Sequence, residues 1–440
     1  MKKIIIIALS LSIVLGFLFW KFGPSISLFN KAKPKGPVTI TYWGLWEDEN
    51  LMKEVIDNYQ KQNPNIKINY VKQSSVNYRT RAQAQVKDGE GPDVFRIHNT
   101  WLLMFLKEGS LLPAPAEIFS LSDYKTLFYP VTSASFVKDG KIFAAPYEID
   151  GLALFYNEEM LNGVGGVPPK TWQEFVDLAT KMTVKNETGI KTAGAAMGAV
   201  GNVDHWSDIL GLLLMQQPGV DLNNVASSAV AEILRFYTGF ITDPRRKVWD
   251  KDLPNSTEMF ASNRLGFYFA PSWRAHELRV MNPNLVFKVV PVPQLPGRNV
   301  GWATFWAEAV SSKSQNPTEA WKFVKYLTSE QAEKSMYAEA AKIRLFGEPY
   351  SLVSLSSELA SDPIVGAFVT QGPVYKNWYL SSNTFDNNGI NEEMIKYWED
   401  GVNATLAGTD PATALQTVNL GVKQVLDKYV NVIPATTSTK

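Results

Sequence analysis

Three features of the sequence predict an α/β fold built around more than one core. At 440 residues the chain is longer than a single hydrophobic core ordinarily serves. Its first folded segments read strand, helix, strand. Helical and strand patterns then alternate almost to the C-terminus, as in a largely parallel sheet covered by helices, and no internal repeat of fixed period interrupts them.

Residues 38–43, VTITYW, alternate and are rich in β-forming side chains, which predicts a strand. In residues 50–62, NLMKEVIDNYQKQ, the spacing of Leu51, Val55 and Tyr59 predicts a helix with one apolar face, and Asn63-Pro64 ends it. Ile66, Ile68 and Tyr70 share one side of a second strand. A helix over 76–87 stops at Asp88-Gly89, and 94–97 supply a third strand. A strand that crosses over through a helix returns parallel. Asp139-Gly140 predicts a hairpin turn. Thr171 and Glu174 stand at capping-box spacing. Asn316, Pro317 and Glu319 repeat that device, and Asp410-Pro411 opens the last helix. Short strands are expected at 264–270 and 286–292.

Ahead of this lies a different kind of segment. Lys2-Lys3 precede IIIIALSLSIVLGFLFW, residues 4–20, apolar or small throughout and uncharged. A secretory signal has an apolar core of about 7–15 residues, whereas a spanning helix needs at least about 17. Ser25-Ile26-Ser27 is only a weak cleavage candidate, so residues 1–20 are expected to stay as a transmembrane helix, with a cleaved signal segment as the alternative. Lys21, Lys31, Lys33 and Lys35 outnumber Lys2 and Lys3, so charge leaves orientation open. Residues 21–37, rich in Pro, Gly and Lys, read as a tether with a reach of about 20–25 Å.

Composition excludes several functions. Lysine plus arginine and aspartate plus glutamate both total 43, so the basic excess of a nucleic-acid binder is missing. Without cysteine there are no disulfides, thiolate metal sites or thiol nucleophiles. His98, His205 and His276 are scattered, with no metal-binding spacing. No phosphate-binding loop or nucleophile elbow is present, and the glycines of NGVGGVPP precede two prolines, as in a surface turn. No cofactor or metal is expected. Glu148 and Asp150 point the same way from one expected strand. A glycosidase needs two carboxylates about 5–9.5 Å apart, but solvent-facing pairs share this spacing, and a non-enzyme is expected.

The 13 tryptophans carry the stronger signal. Trp172, Trp321 and Trp398 fall inside helical patterns and Trp43 inside a strand, as core residues do. Trp46, Trp101, Trp206, Trp273, Trp302, Trp306 and Trp378 instead stand near element ends beside polar residues, as in GLWEDEN, HNTW and APSWRAHE. An indole offers a flat apolar face and one N–H donor. That suits a sugar ring, apolar on its C–H face and ringed with hydroxyls that Asp, Glu, Asn, Arg or His can bind. In open α/β sheets ligands collect beyond the carboxyl ends of strands, where HNTW and GLW are expected.

Several segments occur together in one order: ITYWGLWEDENLMKEVIDNYQKQNPNIKINYV, GPDVF, GSLLPAP, GKIFAAPYEIDGLALFYNEEML, PPKTWQEFVDLATKM, NRLGFYFAPSW, VVPVPQLPG and NPTEAWKFVKYLTSEQ. From residue 38 to about 430 the chain thereby resembles the extracellular solute-binding proteins of ABC importers, in the carbohydrate-binding group that includes maltose-binding protein. The resemblance implies a two-lobed periplasmic-binding-protein-like fold with a hinge. It places lobe one at 38–146 plus 285–329, lobe two at 147–284 plus 330–432, and a tail at 433–440. It implies ligand contacts by His98, Asn99 and Trp101, a ligand carboxylate at Asp150 beside Glu148, and second-lobe aromatics at Trp273 and Trp378. Trp302 and Trp306 would lie in the returning first-lobe segment, and Arg96 would serve packing or the surface. Members from one-membrane bacteria usually carry a lipidated cysteine after the signal; none exists here, so the N-terminal helix would hold the protein to the cell membrane with its binding domain outside. The implied partners are a mono- or oligosaccharide and a membrane permease, with the protein acting as a monomer. The rival expectations are a sensor or surface-binding module for a non-sugar solute, and a surface glycosidase using Glu148 and Asp150.

Overall fold

The structure, a computed structural model, describes residues 36–429. The expected anchor over 1–20, most of the tether and the tail lie outside the described residues. Among the described residues no helix is long and apolar enough to cross a membrane. Among the described residues, those from Thr39 to Tyr429 form one compact unit.

In chain order its strands are β1 (Val38–Gly44), β2 (Ile66–Lys72), β3 (Val94–His98), β4 (Leu111–Leu112), β5 (Val137–Lys138), β6 (Lys141–Ile142) and β7 (Ala144–Pro146). They continue as β8 (Ala153–Asn157), β9 (Val184–Asn186), β10 (Gly189–Ala195), β11 (Leu265–Ala270), β12 (Phe287–Val290), β13 (Gly301–Trp302), β14 (Trp306–Ser311) and β15 (Tyr375–Lys376). Two large sheets result, one ordered β2-β1-β3-β14-β4 with β7 also on β14, the other ordered β12-β8-β11-β10-β9, and two further pairs, β13-β15 and β5-β6, stand apart from them. In the first, β1 runs parallel to β3, with Tyr42 opposite Val94. β14 returns antiparallel, with Trp306 opposite His98. In the second, β8 lies antiparallel between β11 and β12. The runs ALFYN and LGFYFA are buried along their whole length, as central strands covered on both faces require.

Arg96 is fully buried in β3. Its Nη1 donates to Glu47 Oε2 at 2.7 Å, its Nε to Glu308 Oε1 at 2.8 Å and its Nη2 to the Tyr42 hydroxyl at 3.1 Å. The guanidinium also sits 4.0 Å from the centre of the Tyr147 ring. One buried cation thus pins the residues next to Trp46 and Glu148, the first on the loop after β1 and the second on the segment after β7. A buried charge is tolerable only when its hydrogen bonds are met, as they are here.

Local signals held to different degrees. The Thr171 box forms: Thr171 Oγ1 accepts from Glu174 N at 3.2 Å, and Glu174 Oε2 accepts from Thr171 N at 3.0 Å. Asp139 and Gly140 both adopt left-handed backbone (φ 50° and 72°), the turn that a tight hairpin between β5 and β6 needs. Asn316, in contrast, makes no side-chain cap bond, and Glu319 instead meets Lys322 at 3.0 Å. Pro317 alone marks that helix start.

Two expected lobe boundaries differ from the observed packing. β12 pairs with β8, and its Phe287 stacks on Phe155, so the chain has not left the second sheet at 285. The helix Glu330–Ala341 packs against Glu49–Gln62 of the first sheet's side, although it follows 329.

Candidate functional site

Between the sheets the chain passes through two segments laced together. Tyr147 N donates to Trp306 O at 3.1 Å, Leu152 N to Trp302 O at 2.9 Å and Thr304 N to Asp150 O at 3.0 Å. Ile149 N ties the same segment to Pro349 O at 3.0 Å. Gly151 sits where a Cβ would lie 2.0 Å from Trp302 O, so this approach admits only glycine. The lacing sets Glu148, Asp150, Thr304 and Trp306 at the floor between the two sheets.

A cavity of about 290 Å³ opens over this floor, lined by Trp46, Glu148, Trp273, Glu277, Trp306, Arg344, Glu348, Asn383 and Phe385. A cleft of about 30 Å³ adjoins it and shares Glu148, Trp273, Trp306 and Asn383 with it. This narrow end adds His98, Asp150, His205, Asp208 and Thr304. Trp46 and Trp306 come from the first sheet's strand ends and meet edge to face, centroids 5.6 Å apart at 72°. Trp273 comes from the other side, just beyond β11, with the Arg274 guanidinium 4.4 Å from its ring. A larger groove of about 1040 Å³ runs beside Trp172, Phe236 and Arg246 but brings in no residue of the first sheet.

The charges on the cavity wall are matched. Burial first, then the adjacent Glu348 charge and hydrogen bond, push the Glu148 carboxyl well above its ordinary range. Burial opposes ionisation of Glu348 too, yet the Arg344 guanidinium and the bond from Glu148 hold it low. Glu277 pairs with Arg274. With Glu148 protonated, the remaining carboxylates of the larger cavity each face an arginine. Asp150 accepts from Gly151 N at 2.7 Å and from Ser272 Oγ at 2.8 Å, and burial outweighs these donors, pushing its carboxyl up to about 7. The His98 ring nitrogens lie 2.8 Å from Thr100 Oγ1 and 3.0 Å from Thr304 Oγ1, and burial pushes the imidazole down to about 3, so it is neutral.

Of the residues expected from the sequence, Trp46, His98, Glu148, Asp150, Trp273 and Trp306 are brought together here. The other five line neither cavity. Trp101 is wholly buried and abuts Trp306 edge to face at 5.2 Å, a buttress behind the wall. Trp302 is also wholly buried, its Nε1 donating to Asp208 Oδ1 at 2.8 Å. Asn99 spends its backbone and carboxamide oxygen on Phe305. Trp206 is buried in the first turn of the helix Trp206–Gln216, and Trp378 is buried beside Tyr379. The four tryptophans are buried because an indole near an element end can as well plug a loop onto the core.

Sequence reasoning missed Arg344, Glu348, Asn383 and Phe385. They stand in loops after the helix Glu330–Ala341 and before Ile390–Leu406, and only the lone Phe in the polar run SSNTFDNNG hinted at them.

Residues 54–363 match the family of bacterial extracellular solute-binding proteins. The chain is 24% identical over 325 residues to the multiple sugar-binding protein of Streptococcus mutans serotype c, covering 68% of this chain and 73% of that one. It is 22% identical over 421 residues to the galactooligosaccharide-binding protein of Bacillus subtilis, covering 92% and 91%. The solved structure of the sugar-binding protein MalE from Xanthomonas citri superposes with a TM-score of 0.72 at 21% identity, covering 89% of this chain and 98% of that one. That likeness establishes the two-lobed α/β fold.

Proposed function

Since the chain belongs to the bacterial extracellular solute-binding proteins, we propose that it is the substrate-capturing subunit of an ABC importer for a neutral sugar or oligosaccharide. One observation carries this reading: Trp46 and Trp306 from the first sheet and Trp273 from the second line a single cavity whose wall charges are matched. Flat apolar faces on both sides suit the C–H faces of a sugar. Asn383, Arg344 and the carboxyls at the floor suit its hydroxyls. A cationic ligand would need an unmatched carboxylate, which this wall lacks. The relatives named for sugars support the same ligand class.

In the mechanism, the ligand docks on one lobe and the crossing segments bend so that the other lobe completes the contacts. Closure is favoured only by the extra affinity that the closed arrangement offers. The closed form then presents both lobes to a membrane permease. Lobe one comprises the β2-β1-β3-β14-β4 sheet with its helices, and lobe two the β12-β8-β11-β10-β9 sheet with its helices. The protein works as a monomer on the outer face of the cell membrane, held by residues 1–20. A tether of the length of 21–37 keeps it near the permease and raises its effective concentration.

A thermal-shift screen of the purified protein against mono- and oligosaccharides, with polyamines, peptides and glycerol phosphates alongside, tests the reading, because a tight ligand raises apparent stability by mass action. A saccharide is expected to give the largest rise. A rise confined to a charged solute overturns the reading, and cleavage of any saccharide during the screen would make the protein an enzyme.

A further inference from the structure

The cavity has an outer wall that no strand end supplies. Residues 381–389 form a strap between the turn that follows β15 and the helix Ile390–Leu406. At its start Ser382 N donates to the Asp208 carboxylate at 3.1 and 3.3 Å, and Ser382 Oγ lies 3.1 Å from His205 Nδ1, both on the second sheet's side. Near its end the Asp386 carboxylate accepts from Arg79 Nε at 2.5 Å, in an ion pair whose side chains are 10% and 2% exposed. Arg79 belongs to the helix Tyr78–Asp88 of the first sheet's side. Gly389 leaves room for that carboxylate, since a Cβ there would lie 1.6 Å from Asp386 Oδ2.

Pinned at both ends, the strap bends through two residues with left-handed backbone, Asn383 and Phe385, both at φ 55°. Asparagine tolerates this region, but a bulky aromatic rarely occupies it. The bend turns Thr384 inward, 4% exposed, and leaves the Phe385 ring 44% exposed against Trp46, centroids 5.3 Å apart. Folding alone gains nothing from a strained backbone that displays a phenyl ring to water. Such strain persists where the surroundings impose it, and it gathers at ligand clamps.

The three rings form a graded row. Trp306 is 9% exposed at the inner end, Trp46 is half-buried beside it, and Phe385 is 44% exposed at the mouth. The polar groups of the narrow cleft lie at the inner end with Trp306. A phenyl has no hydrogen-bonding atom, so it responds to the presence of an apolar ring face and not to the orientation of hydroxyls. From this geometry we infer that Phe385 is a specificity-determining residue that takes the second sugar ring, so that the site prefers a disaccharide or longer chain to a monosaccharide. The inference rests on the carbohydrate reading above. The Arg79–Asp386 pair acts as a positioning contact for the ring.

Calorimetry on the full-length protein, with ladders of α-1,4-gluco- and β-galacto-oligosaccharides from one to four rings, tests it. The wild type is expected to bind the two-ring sugar of one ladder more tightly than its monosaccharide. Phe385→Ala should weaken the longer sugars by about tenfold or more and the monosaccharide by less than about twofold. Phe385→Tyr should restore the preference, and Asp386→Asn should lose it in part while retaining monosaccharide binding. Equal weakening at every length, or none, overturns the inference. A wild type that binds only monosaccharides overturns it too while leaving the carbohydrate reading intact, and a wild type that binds neither ladder overturns both.

Discussion

The carboxyl of Glu148 hydrogen-bonds the carboxylate of Glu348 at the wall between the two sheets. Two buried acids in contact cannot both ionise cheaply, so one proton is shared, and Arg344 decides that Glu348 is the charged member. The pair joins the crossing segment after β7 to the loop after the helix Glu330–Ala341. Removing the proton would put an unmatched charge into the cleft, so the neutrality of the site is a property of this contact.

Acidity in the same segment predicts a pH dependence of stability. Burial pushes Asp150 up to about 7, above its unfolded value, so the native protein holds this proton more firmly than the unfolded chain does. The resulting stabilisation is complete below the unfolded pKa, near 4, and is lost as pH rises through the folded value. Asp150→Asn should remove that slope: between about pH 4 and pH 8 the wild type should lose about 2–4 kcal/mol more than the variant in urea melts.

Trp273→Ala should weaken sugar binding by about 2–4 kcal/mol, as for a central aromatic anchor, while leaving the melting temperature nearly unchanged. Titration calorimetry on the folded variant checks this; undiminished affinity removes Trp273 from the site.

Trp101 and Trp46 should separate packing from contact. Trp101 is wholly buried behind Trp306, so Trp101→Ala should cost about 3–5 kcal/mol of stability by leaving a cavity. Trp46, half-buried on the wall, should cost far less stability and more affinity when truncated. Denaturant melts and ligand titrations of both variants decide between the roles.

Arg96→Met should destabilise by about 3–5 kcal/mol, because it strands Glu47 and Glu308 as buried charges. The loss should shrink at low pH, where Glu308, whose carboxyl burial pushes up, can protonate. A melt that is unaffected at neutral pH would contradict the role given to this network.

The sequence made the strand–helix alternation legible because period and turn chemistry are local: TITYW, the Asn63-Pro64 stop and Asp139-Gly140 all lie where they were read. Ring-bearing strand ends were legible for the same reason, and Trp46, Trp306 and Trp273, expected at such ends, line one cavity. Whether an indole faces a cleft or a core depends on residues far away in the chain. Trp302 turns inward to meet Asp208, 94 positions distant, and nothing near GWATFW announces it. Arg344 and Glu348 come from a loop whose sequence looks like any surface, and Phe385 is marked only by standing alone in a polar run. Asp386 reaches its partner Arg79 across 307 positions. The same long range hid the pairing of β12 with β8 and the docking of Glu330–Ala341 on Glu49–Gln62.

A structure of the protein with a saccharide bound tests the central claim most directly. The account predicts one sugar ring touching Trp46 or Trp306 on one side and Trp273 on the other, with hydroxyls at Glu148 and Arg344. A saccharide seated outside this cavity, or held by only one of the two sheets' aromatic groups with the lobes closed, would contradict it.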